Sequence, residues 1–395
     1  MLRWFESTYT NYTERLRINI KKNTCYIFIW HVFYFYIKIY YNSYVNYFIS
    51  FYLGEKKLNN KNIRIVYCRT IDYNFDLQQR PHHIMNELAN RGYDIRWLNT
   101  DYYKGPVPIE GFSFINENLK VYYDWNDFKD KFKHPDIYFS SWSDRYKDLY
   151  HIKPKYGVLY DSLDNFYENS KNESDMINMA DIVLTTSQSL FKLRKKEHND
   201  VVMCPNGCFP ELGEKPYPIP NDLKEKVDMN KPIILFCGAL ARWCNLKLLK
   251  QIASKHQLVF IGKPWNIPIP ENLIYLGCKN YSEMQAYYNH CDITLLPFNK
   301  MQEAIYSDPI KVYESLVHGK ICVSTNIEEA CKFDKKTVYT SKSDGDFLQN
   351  INRALKQKGN KDIELLCKKE AEKHSWLNRV DIIEEQILKL VNRGK

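Results

Sequence analysis

The chain has 395 residues, 11 cysteines and a net charge of +9. At about 150 residues per domain this length fits two domains better than one. Its 44% hydrophobic and 26% charged content excludes a disordered, collagen-like or polytopic membrane protein. The charge is uneven: residues 1–62 carry nine Lys/Arg against three Asp/Glu, a net of +6, and everything after them carries only +3. A near-neutral body lacks the basic face that a nucleic-acid partner requires, so no nucleic acid is expected.

Residues 1–62 form a basic, aromatic leader. Fourteen of the thirty residues 24–53 are Phe, Tyr or Trp. On a helix, His31, Lys38, Asn42, Asn46 and Ser50 share one polar stripe, which suits a membrane interface. The segment also fits an accessory element packed on the body, or translated sequence ahead of the working start. Lysines flank both ends, so no orientation follows. The cysteines are scattered, with no Cys-x2-Cys pair and no second ligand pair to match Cys204 and Cys208. They read as reduced thiols in a cytoplasmic body without a metal site.

From Ile63 a strand–helix rhythm begins. Strands are expected at 63–68, 93–99, 136–140, 156–160, 181–187 and 200–204, with helices at 82–91, 171–179 and 188–197. An Asn206–Gly207 turn and a Pro/Lys/Glu-rich linker follow. The rhythm restarts with strands at 232–238, 257–262, 272–277, 292–298, 320–325 and 337–341. Helices are expected at 245–255, 281–290, 309–318 and 344–357, then an amphipathic helical tail over 362–393. The expected organisation is a leader (1–62), a first Rossmann-like domain (63–207), a linker (208–231), a second Rossmann-like domain (232–358) and C-terminal helices (359–395) turning back towards the first domain. The fold class is α/β, two parallel-sheet domains facing a cleft.

Neither domain has Gly-x-Gly-x-x-Gly after its first strand, and the Walker pattern is absent. The most informative stretch is YSDPIKVYESLVHGKICVST, residues 306–325. Pro309 suits the first helical position, with Asp308 or Ser307 as N-cap. The unpaired N–H groups at that helix start suit a diphosphate. Lys311 adds a cation one turn in, and Glu314 a carboxylate able to take two ribose hydroxyls. A capped amphipathic helix with a solvated Lys311/Glu314 pair is the plain alternative.

The order DITLLPF, SDPIKVYESL, HGKICVST resembles the donor half of GT-B glycosyltransferases, near glycosyltransferase family 4 (group 1) and the teichuronic-acid-type enzymes. QQRPHHIMNELANRGYDI (78–95), YDSLDNF (160–166), ADIVLTTSQSL…VVMCPNGCF (180–209) and ILFCGALARWCNLKLL (234–249) match that group in the same order. The resemblance implies sugar transfer from a nucleotide-diphosphate sugar with no bound metal or other cofactor. It implies a donor site of Gly238, Arg242, Lys263, Asp308, Pro309, Lys311 and Glu314, in which Glu314 closes the family's Glu-x7-Glu motif. The first Glu of that motif is Tyr306 here. A glycan or lipid-linked acceptor in cell-envelope polysaccharide synthesis is the implied acceptor class, with an anionic membrane surface as a partner at the cytoplasmic face.

On the acceptor side, Arg80, His82 and His83 stand at a helix start beside Pro81. The helix dipole disfavours imidazolium there, so a neutral histidine is a candidate base. In the alternative, one histidine caps the helix and the other packs under the cleft. Asp161 and Asp164, after a strand end, are rival bases or ligands of the acceptor hydroxyl, or else a turn and a helix cap. Two other functions share the architecture: a nucleotide-sugar 2-epimerase, and a non-catalytic membrane-tethered nucleotide-sugar-binding protein.

Overall fold

The computed structural model describes residues 63–75, 78–165 and 170–394. The leader lies outside them. The first half runs β1 (Arg64–Cys68), α1 (Arg80–Asn90), β2 (Asp94–Leu98), β3 (Phe112–Asn116), β4 (Leu119–Tyr122), α2 (Trp125–Lys131), β5 (Ile137–Ser140), β6 (Gly157–Ser162), α3 (Ser170–Met179), β7 (Ile182–Thr185), α4 (Gln188–Arg194) and β8 (Val201–Met203). Its strands form one sheet in the order β3-β4-β2-β1-β5-β6-β7-β8. All pairings are parallel except β3 against β4. The chain moves outwards from β1 to β2, then returns to place β5 on the other side of β1. That order reversal opens a crevice at the carboxyl ends of β1 and β5.

The second half runs α5 (Asn221–Lys226), β9 (Ile233–Cys237), α6 (Leu246–Ala253), β10 (Gln257–Ile261), β11 (Ile274–Tyr275), α7 (Tyr281–His290), β12 (Ile293–Leu296), α8 (Gln302–Ile305), α9 (Ile310–Val317), β13 (Ile321–Thr325), α10 (Glu328–Cys331), β14 (Val338–Ser341), α11 (Asp344–Leu355), α12 (Lys361–Glu372) and α13 (Trp376–Arg393). A parallel sheet in the order β11-β10-β9-β12-β13-β14 forms its centre. Every residue of IILFC in β9 is buried, as a strand covered on both faces requires.

This is the α/β class with two parallel-sheet layers that the strand–helix rhythm predicts. Three local differences have physical causes. No element is expected between 99 and 136, yet β3 and β4 form an antiparallel pair there. β3 is an edge strand with Phe114 and Ile115 exposed, so it lacks the buried apolar run that marks the inner strands. The presumed linker carries α5, pinned by the buried Leu223. The C-terminal tail is two helices: Ser375 accepts a hydrogen bond from Asn378 N and starts a new helix after Lys373.

Helix α13 lies against α1 in the first half. Its apolar face, Trp376, Val380, Ile383, Ile387, Leu390 and Val391, is wholly buried. Each such side chain contributes about 1.5–3 kcal/mol. Polar ties flank it. Arg91 donates to Asp381 (2.7 Å) and Glu384 (2.9 Å), and Lys389 and Arg393 hold Asp200 at 2.9 and 2.8 Å. Among the described residues no helix is long and apolar enough to cross a membrane.

Candidate active site

The donor side is built at the carboxyl ends of β9, β10 and β12. Gly238 ends β9 with φ +123°, and Gly262 ends β10 with φ +146°. A Cβ on Gly262 would lie 1.8 Å from the Gly238 carbonyl oxygen, so the two turns touch only because both lack side chains. They are stitched by Leu240 N–H to Lys263 O (2.9 Å) and Trp265 N–H to Leu240 O (2.8 Å). Lys263 itself is exposed. The Lys311 Cε lies 4.0 Å from where a Gly238 Cβ would stand, so the lysine stem crosses this turn.

Glu314 is buried on α9. Its Oε2 accepts from Lys311 Nζ (3.0 Å) and from the Tyr288 hydroxyl (2.8 Å). Burial pulls the Lys311 ammonium down, but the Glu314 carboxylate outweighs it and holds the group above its ordinary range. The Lys311/Glu314 pair is therefore partly enclosed rather than a freely solvated helix pair. Arg242 pairs with Glu303 of α8, and Asn299 Nδ2 donates to its carbonyl (2.6 Å). Glu303 is buried and has no counterpart in the sequence-level site; it holds the guanidinium beside the β12 turn.

Two donor-side expectations need correction. Pro309 is the N-cap of α9, not its first helical residue, and Asp308 caps nothing. Asp308 is buried instead in a network. Its carboxylate accepts from Asn206 N–H (2.7 Å), the Tyr313 hydroxyl (2.7 Å) and Lys332 Nζ (2.9 Å). Asn206 Nδ2 in turn donates to the Asp308 carbonyl (2.6 Å). A carboxylate with those donors is spent on tying the Asn206–Gly207 turn to the start of α9, not on a donor ligand.

On the acceptor side the four candidates separate. His82 is spoken for at both ring nitrogens. Nδ1 accepts from Gln79 N–H (3.1 Å) in a capping box, so Nε2 carries the proton and donates to Asp72 O (3.1 Å). It is the histidine that caps the helix, as the alternative reading expects. Asp161 is likewise occupied: it forms a buried two-pronged ion pair with Arg80 at 2.8 and 3.0 Å. Arg80 also donates to Pro205 O (2.9 Å) and to Asn206 Oδ1 (3.3 Å).

His83 packs among Tyr281, Trp376 and Phe209, with ring centroids 5.0–5.2 Å apart, and its buried Nε2 has no hydrogen-bond partner among the described residues. Burial first, then the charges of His82 and Lys311, lower its pKa to about 3. It is neutral at physiological pH but a feeble base. Asp164 follows β6 and makes no hydrogen bond to a described residue. Burial raises its pKa from 3.8 to about 6, helped by the neighbouring charges of Asp161 and Asp308. With Asp161 committed to Arg80, Asp164 is the acceptor-side carboxylate without a hydrogen-bonded partner among the described residues.

The two halves meet beside these groups. Ser187 donates to Tyr306 O (2.6 Å), Glu329 accepts from Gln188 N–H at the start of α4 (2.6 Å), and Lys192 pairs with Glu328 at 2.9 Å. Tyr306, which stands where the family motif has glutamate, thus meets the first half through its backbone. A cavity of about 390 Å³ opens between Tyr73, Phe75 and Gln78 on one side and Asn280, Tyr281 and Ser282 on the other. It adjoins His83 through Tyr281 and is lined by neither Glu314 nor Asp164. Among the described residues no cluster of three His, Cys, Asp or Glu side chains is gathered to hold a metal ion.

Two parallel-sheet domains, with a helix start and a buried carboxylate at the carboxyl ends of the second sheet, frame the candidate site. Residues 221–374 match the family described as glycosyl transferases group 1. Over that stretch the chain carries a region of the group 1 type; it is a glycosyltransferase and has the GT-B fold. No curated protein sequence matches it. Among solved structures it resembles sucrose-phosphate synthase from Thermosynechococcus elongatus, at TM-score 0.69 and 12% identity, over 84% of this chain and 100% of that one. Anabaena HepE in complex with UDP matches at TM-score 0.57 and 11% identity, over 83% and 100% of the two chains. The trehalose 6-phosphate synthase from Burkholderia multivorans matches at 0.63 and 8%, over 84% and 99%. At these identities the likeness is one of fold.

Proposed function

We propose that this glycosyltransferase binds a nucleotide-diphosphate sugar at the start of α9 and passes the sugar to a hydroxyl presented by the first half, with Asp164 as the proton acceptor. The observation that carries the reading is the placement of Glu314, Lys311 and Gly238 together at the carboxyl ends of the second sheet. Glu314 takes the ribose hydroxyls. Lys311, Arg242 and the N–H groups opening α9 face the diphosphate and stabilise the charge that develops on it as it leaves, with no metal or other cofactor assigned to the step. Gly238 gives the backbone clearance for the nucleotide, and Lys263 stands at the rim. Structures of HepE hold UDP and UDP-glucose, which supports a nucleoside diphosphate as the leaving group.

Asp164 removes the proton from the attacking acceptor hydroxyl as the new bond to the anomeric carbon forms. His83, kept neutral between the two halves, lines the approach. A glycan or lipid-linked acceptor in cell-envelope polysaccharide synthesis, handled at the cytoplasmic face of a membrane, is the class we assign from the motif resemblance and the +6 leader. Removing residues 1–60 is expected to shift the protein from the membrane fraction to the supernatant; an unchanged distribution would remove the leader from the proposal.

Glu314→Gln keeps the side-chain shape but exchanges an acceptor oxygen for an amide donor. Binding of the preferred nucleoside diphosphate, read by titration calorimetry, is expected to weaken about 10- to 100-fold, with the thermal unfolding midpoint nearly unchanged. Native affinity in that variant would remove Glu314 from the donor site.

A further inference from the structure

Beyond the residues that would touch the donor, the second sheet holds a buried support for one of them. Tyr288 of α7 donates its hydroxyl to Glu314 Oε2 (2.8 Å), and the Tyr288 hydroxyl oxygen stands 2.9 Å from Cys237 Sγ at the end of β9. With the phenol proton given to the carboxylate, the thiol is the donor to Tyr288. The ring is clamped face to face on His318, centroids 5.8 Å apart at 6°, and His318 Nε2 meets Gln285 Oε1 at 2.9 Å. None of these groups is exposed. Glu314 therefore has two holders on one oxygen, the buried Tyr288 and the partly exposed Lys311, while Oε1 has no hydrogen-bond partner among the described residues.

We infer that Tyr288 is the positioning residue for nucleotide recognition: it fixes Oε2 of Glu314 so that Oε1 faces the ribose hydroxyls, and it keeps holding when Lys311 turns to the diphosphate. This rests on the donor-site reading above. The logic is one of timing. A carboxylate held only by Lys311 would be released at the moment the lysine is recruited by phosphate, and its side-chain freedom would have to be lost again on binding. A phenol on a stacked ring does not compete for phosphate and stays in place.

The test uses the full chain and whichever of UDP, ADP and GDP it binds most tightly, compared with the 2′,3′-dideoxy form of the same nucleotide. The native chain is expected to prefer the ribonucleotide by about tenfold or more. Tyr288→Phe keeps the ring stack and should erase most of that preference, weakening the ribonucleotide about 3- to 10-fold while leaving the dideoxy form as tightly bound as before. General damage to the domain would weaken both alike. A native preference ratio in Tyr288→Phe overturns the inference. Glu314→Gln separates the two readings: if it also keeps the native ratio, the donor-site reading itself fails, whereas a lost ratio there with a native ratio in Tyr288→Phe overturns only the positioning role. Should Tyr288→Phe not fold, Lys311→Met is read instead: it should weaken both nucleotides alike and keep the native ratio, because the phenol still holds Oε2; a lost ratio there overturns the inference.

Discussion

Asp164→Asn is expected to lose sugar transfer by about 10²- to 10⁴-fold in kcat, the range removed with a general base, while nucleoside diphosphate binding stays native. Among the described residues Asp164 is the cleft candidate whose carboxylate no neighbour holds by a hydrogen bond, since Asp161 is locked to Arg80 and Asp308 to Tyr313 and Lys332. Its pH behaviour follows from its surroundings. Burial and the charges of Asp161 and Asp308 lift its pKa to about 6, and only the ionised form accepts a proton. The native rate is therefore expected to fall as pH drops through about 6, and the residual activity of Asp164→Asn to lose that limb.

The same shift carries a stability consequence of definite sign. Between the unfolded value near 4 and the folded value near 6 the native state binds more protons, so stability declines as pH rises through that window. Asn carries no such charge. Asp164→Asn is thus expected to unfold at a higher temperature than the native chain at pH 7, trading activity for stability. A variant that is as active as the native chain would remove Asp164 from the reaction.

Arg80→Met is expected to destabilise the fold by about 3–5 kcal/mol, because it strands the Asp161 carboxylate without a partner in a fully buried site. The guanidinium also satisfies Pro205 O and Asn206 Oδ1, so its loss loosens the turn that joins the first half to Asp308 and α9. Pairing it with Asp161→Leu removes the stranded charge, and most of the loss should return. Urea unfolding of the single and double variants measures both. A single variant as stable as the native chain would show that the pair does not hold the turn.

The repeating strands were legible because parallel strands buried on both faces read as unbroken apolar runs, as IRIVYC and IILFC do. The β3–β4 pair was not, because an edge strand with Phe114 and Ile115 in solvent has no such run. The site was legible in its residue types but not in its assignments. Sequence brings Asp161, Asp164, His82 and His83 to one crevice, and local rules cannot say which is free. That is decided by partners far along the chain: Arg80 claims Asp161 from 81 residues away, and Asn206 claims Asp308 from 102. The partners of Arg242 and Glu314, namely Glu303 and Tyr288, carried no signal either. Each sits in an ordinary helix, and only the tertiary fold buries it beside its partner.

The most direct test of the account is transfer itself. The full chain is incubated with UDP-, GDP- and ADP-sugars labelled in the sugar, together with a lipid extract of envelope membranes, and the label is followed into a solvent-extractable product. The account predicts incorporation from one nucleotide sugar, with stoichiometric release of the nucleoside diphosphate and loss of both in Asp164→Asn. Release of nucleotide or conversion of the sugar with no acceptor present, or no turnover of any nucleotide sugar with any acceptor fraction, would contradict it.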